Sequence, residues 1–285
     1  MRTGLFLICF EAVFTLIFQA WSIRNSEKGV VLPEKGLCAH RGAMATHPEN
    51  TLPAFKAAIA AGAHMIEFDV FFTLDSQMVV IHDETVDRTT NGKGKVSDLT
   101  FWKIRQLDAG IRKSPEFAGV KVPTLDEVLS IMPSNVWLNI HLKGSVELPV
   151  MVARKIAAEE RLHQAFLACG REAAEKARKA VPEIMICNMD RQEEDEDYVK
   201  GTIQLKADFI QLRNPITPAL SDYAVRLKQN GIKVNFYGTD KPEEISLLLS
   251  YGVDFPLVND IVNTMKAITE SGIQPLVPQF KLRRL

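Results

Sequence analysis

Residues 37–82 read LCAHRGAMATHPENTLPAFKAAIAAGAHMIEFDVFFTLDSQMVVIH and contain a strand, a helix and a further strand in succession. The apolar runs LCAH and MIEFDVFF have the length and composition of buried strands. Between them, a helical pattern over 53–61 follows Asn50 and Thr51, two residues that commonly cap helices. This order predicts parallel strands that are covered by a helix.

The same alternation continues toward the C-terminus. Further strand-like runs are MVVIH (78–82), VWLNIHL (136–142), AFLAC (165–169), IMIC (184–187), DFIQL (208–212), KVNFY (233–237) and DFPLV (254–258). Helical patterns occupy 125–131, 146–161, 173–180, 220–229 and 242–249. Because eight or nine strands alternate with helices and no GxGxxG motif follows the first strand, a TIM-type (β/α)8 barrel is favoured over an open doubly wound sheet. We expect one barrel domain over 36–275.

Two segments depart from a regular barrel. Residues 73–77 separate the second and third predicted strands, whereas a parallel crossover needs roughly a dozen residues. Either the barrel is irregular at strands 2 and 3, or the run through Phe72 turns back as an edge hairpin. Residues 92–122 are loop-rich and predict a small insertion over the barrel mouth.

Residues 1–25 differ in composition from the rest of the chain. The apolar run Leu5–Trp21 has 17 residues, which is shorter than the roughly 20 that span a bilayer, and it contains Glu11. A secretory signal peptide with a cleavage site near Ala20–Ser22 is the favoured interpretation, and an uncleaved hydrophobic anchor or a buried helix are the alternatives. The first two interpretations predict a periplasmic, extracellular or membrane-anchored protein that faces outside the cytoplasm.

Charge and cysteine content exclude several classes of protein. The 34 basic and 35 acidic residues nearly cancel, so no strong field attracts nucleic acid or an anionic membrane. We therefore expect no nucleic-acid partner, and membrane contact only through 1–25 if that segment is uncleaved. Four cysteines are too few for a disulfide framework, and we expect Cys38, Cys169 and Cys187 to be small buried residues.

Charged and polar residues gather at the ends of four predicted strands. They are His40 and Arg41 on the first strand, Glu67 and Asp69 on the second, His82 and Asp83 on the third, and Asn139, His141 and Lys143 on the fourth. Residues two apart share one face of a strand, and the carboxyl ends of parallel barrel strands meet at one pocket. We therefore expect these side chains to lie together.

This combination indicates chemistry at a phosphodiester. Paired carboxylates suit a hard divalent cation, and two histidines can accept and donate the two protons that the reaction moves. Arg41 and Lys143 supply fixed positive charge for phosphoryl oxygens. Taken singly, each residue has a structural alternative, such as a hydrogen-bonded core histidine. Burying all of these charges together without partners would cost roughly several kcal/mol of folding free energy for each charge. A bound metal ion and a bound phosphate would compensate them.

The stretch 39–94 resembles the opening of the glycerophosphodiester phosphodiesterase family. The motifs HRG, PENT, E-x-D and HD followed by R-T-T-x-G-x-G occur in that order, VKVPTLDEVL continues the likeness, and the similarity spans 36–265. The resemblance implies a TIM-barrel hydrolase that converts a glycerophosphodiester and water to sn-glycerol 3-phosphate and an alcohol, using Ca or Mg.

The resemblance also implies roles for individual residues. These are acid/base catalysis by His40 and His82, phosphate binding by Arg41 and Lys143, and metal ligation by Glu67 and Asp69. Glu49 of the PENT motif is a candidate supporting carboxylate outside the metal ligands. Alternatively, the motif matters because Asn50 and Thr51 cap the first helix.

Two departures from the family pattern bear on function. His141 occupies the position of an expected third metal-ligating glutamate, and imidazole suits Mn, Fe, Co or Zn better than Mg or Ca. We therefore predict one divalent ion held by Glu67, Asp69 and His141, with Mn, Co or Zn as alternatives to Ca or Mg. Residues 237–240 and 252–260 also differ from the family pattern, which leaves the head group of the substrate open.

Two other functions remain as alternatives. One is a lysophospholipase D or sphingomyelinase D-like phosphodiesterase, for which Phe101, Trp102 and Phe117 would provide an apolar surface. The other is a non-catalytic barrel that binds phosphodiesters, which the change at His141 would favour.

Overall fold

The computed structural model describes residues 29–213, 215–269 and 272–280. The predicted signal peptide or anchor at 1–25 lies outside these residues. From Pro33 onward the described residues form one compact unit. Among the described helices, none has the length and apolar character needed to cross a membrane.

The part of the chain that the structure describes contains nine strands and nine α-helices. The strands are β1 (Cys38–Ala39), β2 (Met65–Phe72), β3 (Met78–Val80), β4 (Trp137–Leu142), β5 (Ala165–Cys169), β6 (Met185–Asn188), β7 (Phe209–Arg213), β8 (Lys233–Tyr237) and β9 (Phe255–Val258). The helices are α1 (Leu52–Ala60), α2 (Phe101–Gln106), α3 (Leu125–Ile131), α4 (Leu148–Ala158), α5 (Arg171–Ala180), α6 (Asp195–Gln204), α7 (Ala219–Gln229), α8 (Pro242–Ser250) and α9 (Ile261–Ile268).

Eight of the strands close into a parallel barrel in the order β1, β2, β4, β5, β6, β7, β8 and β9. Strand β1 completes the ring because Cys38 pairs with Met65 of β2 on one side and with Leu257 of β9 on the other. The predicted (β/α)8 barrel is therefore confirmed.

Strand β3 lies outside the ring and is not the third barrel strand. It runs antiparallel to β2, with Phe72 opposite Met78 and Val70 opposite Val80. The edge-hairpin alternative is the correct one, because residues 73–77 can close a turn but cannot carry a parallel crossover. After β2 the chain therefore reverses direction and runs back along the carboxyl-terminal part of β2.

Most of the predicted helices form, with changes at their ends. Helix α3 begins with a capping box between Thr124 and Glu127. The prediction over 146–161 is too long: α4 begins after Glu147, and Glu160, with φ of 51°, cannot continue it. Helix α9 was not predicted; its first turn is capped by the Asp260 side chain, which accepts from the backbone of Asn263.

Aromatic side chains fill the amino end of the barrel interior. The rings of Phe166 and Phe209 stack with centroids 3.9 Å apart, and Trp137 meets Phe209 edge-on at 5.2 Å. Cys38, Cys169 and Cys187 are buried and free, as expected. Because these three rings occupy the amino end, the polar side chains that point into the barrel lie at its carboxyl end.

The predicted insertion packs as a small unit beside the barrel mouth. Val96 and Ile104 of the insertion form a core with Val86 and with residues of the β2–β3 hairpin. Nζ of Lys113 donates to the backbone oxygens of Met44 and Ala45 at 2.8 and 2.7 Å. These bonds join the insertion to the loop between β1 and α1.

Candidate active site

Parallel pairing brings the acidic strand and the histidine strand together. In the register of β2 and β4, Glu67 lies opposite Asn139 and Asp69 lies opposite His141. His40 and Arg41 follow β1, which pairs with the amino-terminal half of β2. The residues predicted from strands 1, 2 and 4 therefore meet at the carboxyl end of the barrel.

Glu67, Asp69 and His141 form a compact set of candidate metal ligands. One ligand atom from each lies within 4.8 Å of the others. Nδ1 of His141 is 3.3 Å from Oδ1 of Asp69 and 3.8 Å from Oε1 of Glu67. The two carboxylates are almost completely buried, whereas His141 is partly open.

The electrostatics of this cluster fit a bound cation. Burial and the neighbouring Asp69 raise the pKa of Glu67 well above its usual range. Burial opposes ionisation of Asp69 too, but contacts with His141 and Lys143 bring the pKa of Asp69 below its usual value. Oδ1 of Asp69 is buried without a well-oriented hydrogen bond from the described residues. A divalent cation would allow both carboxylates to ionise and would satisfy this oxygen.

Arg41 and Lys143 both lie against Asp69. Nζ of Lys143 is 3.2 Å from Oδ1, and Nε of Arg41 is 3.6 Å from Oδ2. Arg41 has φ of 51°, which turns its backbone N–H toward Oε2 of Glu67 at 3.0 Å. Its Nε atom is buried and has no hydrogen-bond partner among the described residues. Two cations therefore border the carboxylate pair.

His40 is held by Asn259, which follows the last barrel strand, and Asn259 is held in turn by Asp240 from the loop after β8. Its Nδ1 lies 2.7 Å from Oδ1 of Asn259, and Nδ2 of Asn259 donates to Oδ2 of Asp240 at 3.0 Å. Its Nε2 is 4.0 Å from Oε2 of Glu67. Burial, together with the Arg41 cation, lowers the pKa of His40 to about 4, so its imidazole is neutral near pH 7.

Asp240 and Asn259 were not predicted as site residues. In the sequence analysis, the segments 237–240 and 252–260 were noted only because they differ from the family pattern, which bears on the head group of the substrate. Their signal in the sequence is their position just after β8 and β9, at the same end of the barrel as His40. An open cavity of about 620 Å³ lies beside them and is lined in part by Tyr237, whose ring is 5.0 Å from that of His40.

His82 reaches the site by a route that differs from the prediction. It does not end a barrel strand, because it follows the antiparallel strand β3. The backbone N–H of Ile81 donates to the carbonyl of Asp69 at 3.0 Å, which places the start of this loop at the level of the carboxylates. Nδ1 of His82 lies 2.7 Å from Oδ1 of Asp83.

The PENT segment contacts the site through two side chains. Glu49 accepts from Nη1 of Arg41 at 2.8 Å, and Nδ2 of Asn50 donates to Oδ2 of Asp69 at 2.9 Å. Thr51 is the N-cap residue of α1, but neither its hydroxyl nor Asn50 caps the helix by a side-chain bond. Thr51 therefore takes the N-cap position, as the capping interpretation predicts, but without a side-chain bond, whereas Glu49 and Asn50 contact groups in the site.

Arg88 is a second residue that the sequence analysis did not single out. Its guanidinium donates to Glu49 through Nη1 and Nη2, both at 2.8 Å, and to Asp83 through Nε at 2.7 Å. This contact lowers the pKa of Asp83 to about 2. Its signal in the sequence is its place in the R-T-T-x-G-x-G segment, which was used only to recognise the resemblance.

Comparison with known proteins identifies the family. Residues 40–195 match the model of the glycerophosphoryl diester phosphodiesterase family. A protein of Caldanaerobacter subterraneus subsp. tengcongensis named glycerophosphodiester phosphodiesterase is 32% identical over 247 residues, covering 82% of this chain and 98% of that protein. This chain belongs to the glycerophosphoryl diester phosphodiesterase family.

Other similar proteins extend the comparison. Human glycerophosphodiester phosphodiesterase 1 is 40% identical over 124 residues, which is 42% of this chain and 38% of that protein. The crystal structure of a glycerophosphodiester phosphodiesterase from Agrobacterium tumefaciens aligns with a TM-score of 0.71 at 27% identity, covering 81% of this chain and 99% of that one. An Oleispira antarctica phosphodiesterase in complex with the product sn-glycerol-3-phosphate shares the fold, with a TM-score of 0.68 at 22% identity, covering 84% of this chain and 97% of that one.

Proposed function

We propose that this member of the family hydrolyses glycerophosphodiesters to sn-glycerol 3-phosphate and an alcohol, using one divalent metal ion and the pair His40 and His82. The observation that carries the proposal is that Glu67, Asp69 and His141 meet at the barrel mouth, with His40 4.0 Å from Glu67 and with Arg41 and Lys143 against Asp69. Family membership supports the same reaction.

The hydrogen bonds of the histidines support proton transfer through their Nε2 atoms. Because the Asp240 carboxylate accepts from Nδ2 of Asn259, the amide oxygen of Asn259 must face His40 and accept from Nδ1. The neutral ring of His40 then presents an unprotonated Nε2. The Asp83 carboxylate accepts from Nδ1 of His82 in the same way. Each ring therefore keeps one nitrogen for the reaction.

In the proposed reaction, one of these histidines takes a proton from the attacking water as its oxygen bonds to phosphorus. The other, protonated on both ring nitrogens at this stage, gives its Nε2 proton to the alcohol oxygen as the P–O bond to the leaving group breaks, so the pair carries the same number of protons before and after the reaction. Arg41 and Lys143 bind the phosphoryl oxygens and balance the charge that develops on them.

Glu67, Asp69 and His141 would hold the metal ion. When bound, the ion supplies positive charge that polarises the phosphoryl group. We propose that His141 shifts the preference of this site toward Mn, Co or Zn, because an imidazole nitrogen replaces a hard oxygen ligand. Burial lowers the pKa of His141, which favours the neutral ring that can donate a lone pair.

The test measures release of sn-glycerol 3-phosphate from glycerophosphocholine and from glycerophosphoethanolamine. The purified protein is stripped with EDTA, and Mg, Ca, Mn, Co or Zn is then added singly. We expect release to be lost with EDTA and restored by at least one ion, with Mn, Co or Zn ahead of Mg and Ca. Folded protein that releases no product with any ion would contradict the proposal.

We also propose that residues 1–25 export the protein from the cytoplasm, on the basis of their apolar run. The test is fractionation of cells that produce the full chain, followed by mass determination of its N-terminus. Export predicts the protein outside the cytoplasm, either cut near Ala20–Ser22 or retained with the membrane. An intact chain in the cytoplasmic fraction would contradict it.

A further inference from the structure

Arg88 connects two loops that each carry a reactive group. Its guanidinium makes four hydrogen bonds, two with Glu49 and two with Asp83, over 2.7 to 3.0 Å. Glu49 belongs to the loop after β1, whereas Asp83 belongs to the loop after β3. The two carboxylates are thus linked by one planar group, whose rigid fork suits bidentate contacts.

Each of these carboxylates also holds a residue of the proposed reaction. Oε1 of Glu49 accepts from Nη1 of Arg41 at 2.8 Å, and Oδ1 of Asp83 lies 2.7 Å from Nδ1 of His82. A continuous chain of contacts therefore runs from Arg41 through Glu49, Arg88 and Asp83 to His82. The phosphate-binding group and one proton-transfer group are joined by it.

The contacts of Arg88 favour a role in geometry over a role in stability. Its side chain is 48% exposed, and exposed ion pairs contribute about 0–1 kcal/mol to folding. Glu49 is far less accessible, with 11% of its side chain exposed, so its orientation depends on the two guanidinium groups that it binds. Loss of Arg88 would release this carboxylate and Asp83 together.

We propose that Arg88 is a positioning residue that fixes His82 relative to Arg41. This inference rests on the proposed function, because it assigns Arg88 to the same reaction. Arg88 itself contacts neither ring nitrogen of His82 in the hydrogen bonds of the described residues, and it acts through the two carboxylates. A displacement of about 1 Å in such a group can cost up to about 100-fold in rate.

The test compares Arg88→Gln with a matched control. Arg105 lies in the insertion that follows Arg88 and forms a bidentate pair with Glu127 at 2.7 and 2.5 Å, and its hydrogen bonds within the described residues go to no residue of the site. We expect Arg88→Gln to lower kcat about 10- to 100-fold, with little change in melting temperature, and Arg105→Gln to leave kcat within about twofold. Arg88→Lys keeps the charge without the fork and should fall between Arg88→Gln and the wild-type chain.

A double-variant cycle separates positioning from a general structural effect. In the His82→Ala background, Arg88→Gln should lower kcat much less than it does in the wild-type chain, because the group it positions is already gone. Equal fold losses in both backgrounds, or an unchanged kcat in Arg88→Gln, would overturn the inference.

Binding of sn-glycerol 3-phosphate, measured by calorimetry, provides a readout that does not need turnover. Arg88→Gln should weaken this binding severalfold, because Glu49 then loses its contacts with Arg88 and holds Arg41 less firmly. Arg105→Gln should leave the binding unchanged. If the wild-type chain has no activity, the proposed function fails. The difference in binding between the two variants still tests whether Arg88 positions Arg41 through Glu49. Unchanged binding in Arg88→Gln would then overturn it.

Discussion

Asn50 orients Asp69 through two hydrogen bonds. Its Nδ2 donates to Oδ2 of Asp69 at 2.9 Å, and its Oδ1 accepts from the backbone N–H of Asp69 at 3.3 Å. Asn50 has φ of 57°, a left-handed conformation that asparagine and glycine tolerate. With Oδ2 engaged in this way, Oδ1 of Asp69 is left facing His141 at 3.3 Å.

Asn50→Gly should weaken metal binding while the backbone conformation is kept. Removal of both hydrogen bonds lets the carboxylate rotate, and groups that orient metal ligands typically contribute about 10- to 100-fold in affinity. Titration of EDTA-stripped protein with Mn²⁺ in a calorimeter measures the change. Asn230→Gly, at the end of α7, is the control and should bind as the wild-type chain does. An unchanged affinity in Asn50→Gly would exclude Asp69 orientation as its role.

His40→Ala and His82→Ala should each lower kcat by about 100-fold or more, which is the usual size of an acid/base contribution. Steady-state rates with glycerophosphocholine at saturating metal measure the loss, and circular dichroism checks the fold. His47→Ala is the matched control, because His47 lies in the loop after β1 but packs against Phe117, with ring centroids 5.3 Å apart. Loss of less than about tenfold in either variant would remove that histidine from the reaction.

His141→Glu should move metal preference toward Mg and Ca. The change replaces a nitrogen ligand with an anionic oxygen, so we expect the ratio of the Kd for Mg²⁺ to the Kd for Mn²⁺ to fall by about tenfold or more. Calorimetric titration of the metal-stripped wild type and variant gives both constants without turnover. The ratio should stay unchanged only if His141 is not a ligand.

Phe209→Ala should destabilise the barrel without altering the site. Phe209 is buried, stacks on Phe166 and meets Trp137 edge-on, so its truncation should lower the free energy of unfolding by about 3–5 kcal/mol. Urea denaturation measures the loss. Val225→Ala on the surface of α7 is the control, with an expected change within about 0.5 kcal/mol. Similar losses in both variants would contradict the assignment of Phe209 to the core.

The barrel was predictable because its elements are set by local patterns. Apolar runs of strand length alternate with helical stretches along most of the chain, and the parallel register then follows from packing helices on a sheet. The position of Glu67 and Asp69 on one face of β2 follows from strand periodicity alone. The short turn after Phe72 was also visible, and only the choice between an irregular barrel and a hairpin needed the structure.

The partners of the reactive groups were not predictable in the same way. His40 meets Asn259, which is 219 residues later in the chain, and Arg88 meets Glu49, which is 39 residues earlier. No local pattern relates such positions, because closure of the barrel and the return of β3 beside β2 bring them together. Periodicity and motif order therefore determined the fold and the chemical groups of this protein. Which side chains orient those groups was decided by tertiary contacts, since a hydrogen bond depends on positions in space that distant parts of the chain set jointly.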